Sequence, residues 1–208
     1  MKKLDLKTWK RKEHFEFFSN FDEPFFGIVT EIEVTNAYHY CKNNEISFFA
    51  YYLYQSLKAA NQLEAFRYRI IEGEVIIFDE IHASATIGRK DDTFAFSFSQ
   101  YQPNFELFSK NLSLEIAELQ KTSGLNLSDE TARQDVIHYS SIPWTKFTGL
   151  THARSFQHTD SAPKISFGKM YEENEKKWMS VAINVHHGLM DGIEIGRYLS
   201  IFQSLMNG

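Results

Sequence analysis

The chain has 208 residues, 43% of them hydrophobic and 24% charged, and a net charge of −5. An aromatic share of 15%, with only 10 Gly and 4 Pro, excludes a disordered, collagenous or low-complexity chain. The acidic balance offers no basic face for nucleic acid, and Cys41, the single cysteine, excludes an intrachain disulfide framework. Residues 1–15 are charged throughout and lack an apolar signal-peptide segment. No apolar run is long enough for a membrane span, so the expected location is the cytoplasm.

Residues 27–35 alternate as a half-buried strand. Residues 46–60 are apolar almost all round, which predicts a buried helix that Ser47 is placed to cap. Residues 66–71 and 75–78 flank Glu72-Gly73-Glu74 and read as a hairpin. Residues 93–98 alternate, with Phe94, Phe96 and Phe98 on one face expected in the core. Residues 103–122 carry Phe105, Phe108, Leu112, Ile116 and Leu119 at spacings of three and four, an amphipathic helix. A polar loop over 123–133 leads to a strand over 135–142, which Pro143 stops. After an irregular stretch over 145–163, strands over 164–171 and 177–186 share a turn, and 191–206 runs as a helix. The alternation puts His186 and His187 on opposite faces of a strand end. About seven strands and three main helices, with no repeat or linker, predict an α/β chain (an α+β two-layer sandwich). A mixed sheet with flanking helices would form one domain over 1–208.

The densest chemistry is His186-His187-Gly188-Leu189-Met190-Asp191-Gly192, at a strand-to-helix junction. Three uses are open to it. A metal site would need both imidazoles on one ion, which opposed strand faces disfavour, and no further ligands are spaced for it. A structural use makes His187 a core histidine and Asp191 the cap of the following helix. A catalytic use makes one histidine a general base. Cys41 has no base beside it and is expected to pack rather than react.

HHGLMDG fits an HHxxxDG signature. WKRKEHFEFF over 9–18, SSIPWTKFTGL over 140–150, ISFGKMY over 165–171 and DGIEIGRYLSIFQSL over 191–205 complete a pattern that resembles the chloramphenicol acetyltransferase family. The resemblance implies that family's fold and acetyl transfer to a hydroxyl of chloramphenicol or a related hydroxylated aromatic, conferring antibiotic resistance. Acetyl-CoA would be a co-substrate, with no bound cofactor and no metal. It implies His187 as general base, its imidazole oriented through its own backbone carbonyl. Asp191 would pair with Arg11, and Ser140 would donate to the tetrahedral oxyanion. Ser166 would hold a water near the intermediate, and Lys169 is implied as a coenzyme A contact. Phe17 and Phe26 match acceptor-pocket positions, as does Phe18, where several members carry Tyr; His138 stands where Asn is common. A homotrimer with sites at subunit interfaces is also implied.

Each residue has a plainer alternative. Ser140 can be a loop hydroxyl, Arg11 a solvated charge, Lys169 a water-facing side chain and Trp144 a packing anchor. The alternatives for function are another alcohol as acceptor and a catalytically inactive coenzyme A-binding homologue. A carrier-protein donor would call for an attached carrier domain or flexible linker, which is not seen.

Overall fold

Strand alternation and three strong helix caps organise the chain in a computed structural model that describes residues 1–155 and 160–208. Part of the irregular 145–163 stretch, residues 156–159, lies outside the described residues. The strands are β1 (Lys2–Lys3), β2 (Phe25–Glu33), β3 (Tyr68–Ile71), β4 (Glu74–Ile77), β5 (His82–Gly88), β6 (Phe94–Phe96), β7 (Val136–Ile142), β8 (Lys164–Glu173) and β9 (Lys176–His186). The helices are α1 (Lys12–Phe18), α2 (Thr35–Asn43), α3 (Phe48–Asn61), α4 (Phe105–Leu119) and α5 (Gly192–Asn207). No described helix is long and apolar enough to cross a membrane.

Six strands form a mixed sheet in the order β2-β9-β8-β7-β5-β6, in which only β5–β7 and β7–β8 pair in parallel. The hairpin of β3 and β4 joins β1 in a second, three-stranded sheet. Its turn has both Glu72 and Gly73 at positive φ, the left-handed pair that a two-residue hairpin favours.

Met179, Val181, Ile183 and Val185 of β9 point into the core with residues of α2, α3, α4 and α5. Their neighbours Ser180, Ala182, Asn184 and His186 take the opposite, more polar face. Ser47 caps α3 by accepting from the Ala50 N–H, and Asn104 caps α4 by accepting from Leu107. Phe15 of α1 belongs to a second cluster with Tyr68, Val75, Ile77 and Leu189, which ties α1 to the motif turn.

Two expectations need correction. Phe94 is exposed and Phe96 and Phe98 are half-buried, while Ala95 and Ser97, which alternate with them, are buried. The alternation of this strand is right but its faces are reversed. Ala95, paired with Ile87 of β5, belongs to the core cluster, and the Ser97 hydroxyl donates to the Ala85 carbonyl at 3.0 Å, so small side chains rather than rings fill the inner side. Trp144 is 80% exposed and anchors no core of its own chain.

Candidate active site

β9 ends at His186, and the Phe25–His186 and Phe26–Val185 pairs fix the register of its last residues. His187 follows, its N–H donating to the Pro24 carbonyl at 2.8 Å. The two imidazoles part company here. His186 meets Phe25 edge-on at 5.6 Å, whereas His187 lies flat under Phe18, with ring centroids 3.9 Å apart at 15°. Phe26 tilts against the other side of His187 at 4.4 Å. The His186 ring is buried and its Nδ1 accepts the Gly188 N–H at 3.1 Å. Burial, aided by Arg154, pushes His186 down to about 4, so it is neutral at pH 7.

Arg11 connects the start of the chain to this turn. Its Nη1 donates to Asp191 Oδ2 at 2.7 Å and its Nη2 to the His187 carbonyl at 3.0 Å. The ion pair that the family resemblance implies is therefore present. Asp191 also has its structural use: Oδ1 accepts the Ile193 N–H at 3.0 Å, and Glu194 answers by accepting the Asp191 N–H at 2.9 Å. Partial burial pushes the Asp191 carboxyl up. The Ile193 N–H and the Arg11 guanidinium outweigh it and carry the group down to about 2. Gly188 keeps the turn uncrowded, since a Cβ there would sit 3.1 Å from the His186 ring and 3.4 Å from the Phe15 backbone.

The His187 carbonyl is occupied by Arg11, and His187 Nδ1 is buried without a hydrogen-bond partner among the described residues. The imidazole is flanked by the rings of Phe18 and Phe26. Phe17 stands beside Phe18 at 5.1 Å and is largely exposed.

The remaining site residues lie elsewhere on the sheet. Ser140 and Ser166 are cross-strand partners on β7 and β8, and Ser166 pairs onward with Ala182 of β9. Ser140 accepts weakly from Thr86 at 3.5 Å, while the buried Ser166 hydroxyl has no partner among the described residues. His187 is five residues past Ala182, so it stands ~16 Å along the sheet from the serines, and ~10 Å across it from Ser140. His138 is half-buried, two residues before Ser140, and Lys169 is exposed at the bulge of β8. One chain thus unites Arg11, Asp191, His187, Phe18 and Phe26. It does not bring Ser140, Ser166, His138 or Lys169 to the imidazole. Cys41 is buried, and desolvation raises its thiol to about 11, which suits packing.

A strand-end histidine tied through its backbone to a helix-capping aspartate is a fixed imidazole that can serve as a general base. The chain belongs to the chloramphenicol acetyltransferase family, whose model matches residues 1–203. A chloramphenicol acetyltransferase of Proteus mirabilis is 29% identical over 96% of this chain and 92% of its own length. One from Vibrio anguillarum is 28% identical over 98% and 95%. A solved chloramphenicol acetyltransferase superposes with a TM-score of 0.91 at 27% identity, covering 99% of both chains. The dihydrolipoamide acetyltransferase of Azotobacter vinelandii shares the fold, with a TM-score of 0.72 at 11% identity over 94% of this chain and 86% of that one.

The resemblance had not drawn attention to Pro24, which receives the His187 N–H, or to Lys164 and Asp160 near His138. Neither contact follows a sequence period. Pro24 acts through its carbonyl, and Lys164 and Asp160 meet only through the chain's path into β8.

Proposed function

We propose that this chain is an acetyl-CoA-dependent O-acetyltransferase that acetylates a hydroxyl of chloramphenicol and thereby confers resistance to it, acting in the cytoplasm. The observation that carries this reading is the Arg11 guanidinium binding both the Asp191 carboxylate and the His187 carbonyl. It fixes the backbone of the base at the end of β9. With Nδ1 buried, Nε2 of His187 is the nitrogen left for substrate. It takes the acceptor hydroxyl proton as that oxygen attacks the thioester carbonyl carbon. The tetrahedral intermediate then collapses, its C–S bond breaks, and the imidazolium returns the proton to the departing sulfur. The products are the acetyl ester and free coenzyme A, with no acyl-enzyme.

Ser140 is assigned to the oxyanion, and Ser166 to a water beside it. The in-chain separation of both serines from His187 supports a homotrimer in which one subunit's His187 faces the serine row of its neighbour. Lys169 is assigned to coenzyme A, Phe17, Phe18 and Phe26 to the ring-lined side of the acceptor pocket, and His138 to its polar side.

Purified protein with acetyl-CoA and chloramphenicol, followed by free-thiol release, tests the function. Acceptor-dependent release is expected. Release with other alcohols from a panel, but none with chloramphenicol, would keep the chemistry and discard the acceptor.

A further inference from the structure

The sheet face turned away from the helices carries Ser140 and Ser166 as one cross-strand row. The adjacent row on that face is His138 paired with Lys164, ~7 Å along the strands. Lys164 is buried, and its ammonium binds the Asp160 carboxylate and the Ala162 carbonyl, the latter at 3.3 Å. Phe25 lies beneath the same ammonium, 4.6 Å from its ring centroid. An ammonium has three N–H donors, and among the described residues two oxygens accept from this one. Asp160 is itself fixed, accepting the Ala162 N–H at 3.0 Å. It lines two cavities, one of about 610 Å³ with His186 and Phe21 and one of about 230 Å³ with His138 and Arg69.

A buried ion pair adds little stability, since apolar residues of the same volume often serve as well or better. Its chemistry is available for recognition. Burial presses the Lys164 ammonium towards neutrality, and the Asp160 carboxylate opposes this. His138, desolvated and next to Lys164, is pushed down to about 4 and adds no second positive charge at pH 7. The row therefore holds one cationic donor that, among the described residues, has one N–H without an acceptor, and it lies one sheet row from the assigned oxyanion serine.

We propose that Lys164, oriented by Asp160, is a specificity-determining residue of the acceptor site. It selects alcohols that present a hydrogen-bond-accepting oxygen substituent, a nitro or carboxylate group, one sheet row from the hydroxyl being acetylated. The inference rests on the acetyl-transfer reading and on Ser140 as the oxyanion donor. The ring nitro group of chloramphenicol is a substituent of this kind. A hydrogen bond from a charged donor is worth a factor of roughly ten or more in selectivity.

The test is steady-state thiol release by the full-length protein with chloramphenicol and with its analogue bearing hydrogen in place of the nitro group. The wild type is expected to favour the nitro compound at least tenfold in kcat/KM, an arm that needs no variant to fold. In the Lys164→Met/Asp160→Asn double variant the ratio is expected to fall to within about twofold of unity, and Lys164→Arg is expected to keep a preference. A wild type that does not discriminate, or a double variant with the ratio intact, overturns the proposal alone. Absence of thiol release with either acceptor overturns the acetyl-transfer reading and this inference with it.

Discussion

Arg11 holds the backbone of His187, not its ring: Nη2 reaches the His187 carbonyl at 3.0 Å while Nη1 binds Asp191 at 2.7 Å. The guanidinium fork suits this double contact, because its two nitrogens diverge in one rigid plane. A lysine presents a single point charge and can keep one partner at full strength. Arg11→Lys is therefore expected to lower kcat about tenfold, the worth of one charge-assisted hydrogen bond. Steady-state kinetics check this, and an unchanged kcat would show that the backbone tie is dispensable.

Asp191 divides its oxygens between two tasks, Oδ1 capping α5 and Oδ2 pairing with Arg11. Asparagine can cap but cannot form the ion pair, whereas alanine does neither. Asp191→Ala is expected to lower stability by about 1 kcal/mol more than Asp191→Asn, read from denaturant midpoints. The carboxyl sits at about 2 when folded, below the ~3.9 of an unfolded aspartate. Its stabilisation is complete above pH 4 and is lost as the pH falls from 4 towards 2. The loss is about 1 kcal/mol once solvent screening of this one-third exposed carboxylate is allowed for. The Asn variant is expected to lack this component of the acid limb.

Phe18 covers one face of His187 at 3.9 Å and 15°. The stack restrains the tilt of the imidazole, whose Nδ1 has no hydrogen bond to another described residue. Phe18→Leu fills much of the volume without a flat surface, and its kcat is expected to fall two- to tenfold, the worth of an aromatic pair. Phe18→Tyr keeps the ring and is expected to keep kcat within about twofold of the wild type. Equal losses in both variants would contradict an orienting role for the ring face.

The distance between His187 and the Ser140–Ser166 row has a direct consequence for mixed assemblies. If each site draws these groups from different subunits, inactive His187→Ala and Ser140→Ala chains should restore one another. Refolding them together is expected to recover part of the thiol-release activity, and refolding them separately none. Failure to recover activity in mixtures shown to be hetero-oligomeric would place both groups in one subunit.

Much of this architecture was legible from residue types. Ser47 and Asp191 announce their helices, and the 3–4 spacing from Phe105 to Leu119 marks α4. What stayed hidden has physical reasons. β5 reads His-Ala-Ser-Ala-Thr-Ile-Gly, a strand packed between β7 and β6 whose small residues are buried on both faces and so show no alternation. Seven of the nine residues of α2 are Thr, Asn, Tyr, His or Cys, all modest helix formers, and the helix has no side-chain cap. Its helicity comes from packing Ala37 and Cys41 into the core. The Arg11–Asp191 pair spans 180 residues and could be anticipated only by family resemblance. The Lys164–Asp160 pair had no such signal, since spacing by four carries no meaning at the entry to a strand.

The central claim is that His187 is the base for acetyl transfer. Its most direct test is thiol release from acetyl-CoA with chloramphenicol by His187→Ala beside the wild type, with thermal stabilisation by coenzyme A confirming that the variant is folded and binds. The account predicts a fall in kcat of at least 10²-fold, the usual worth of a general base, with stabilisation by coenzyme A retained. A folded, coenzyme A-binding variant that releases thiol at the wild-type rate would contradict it.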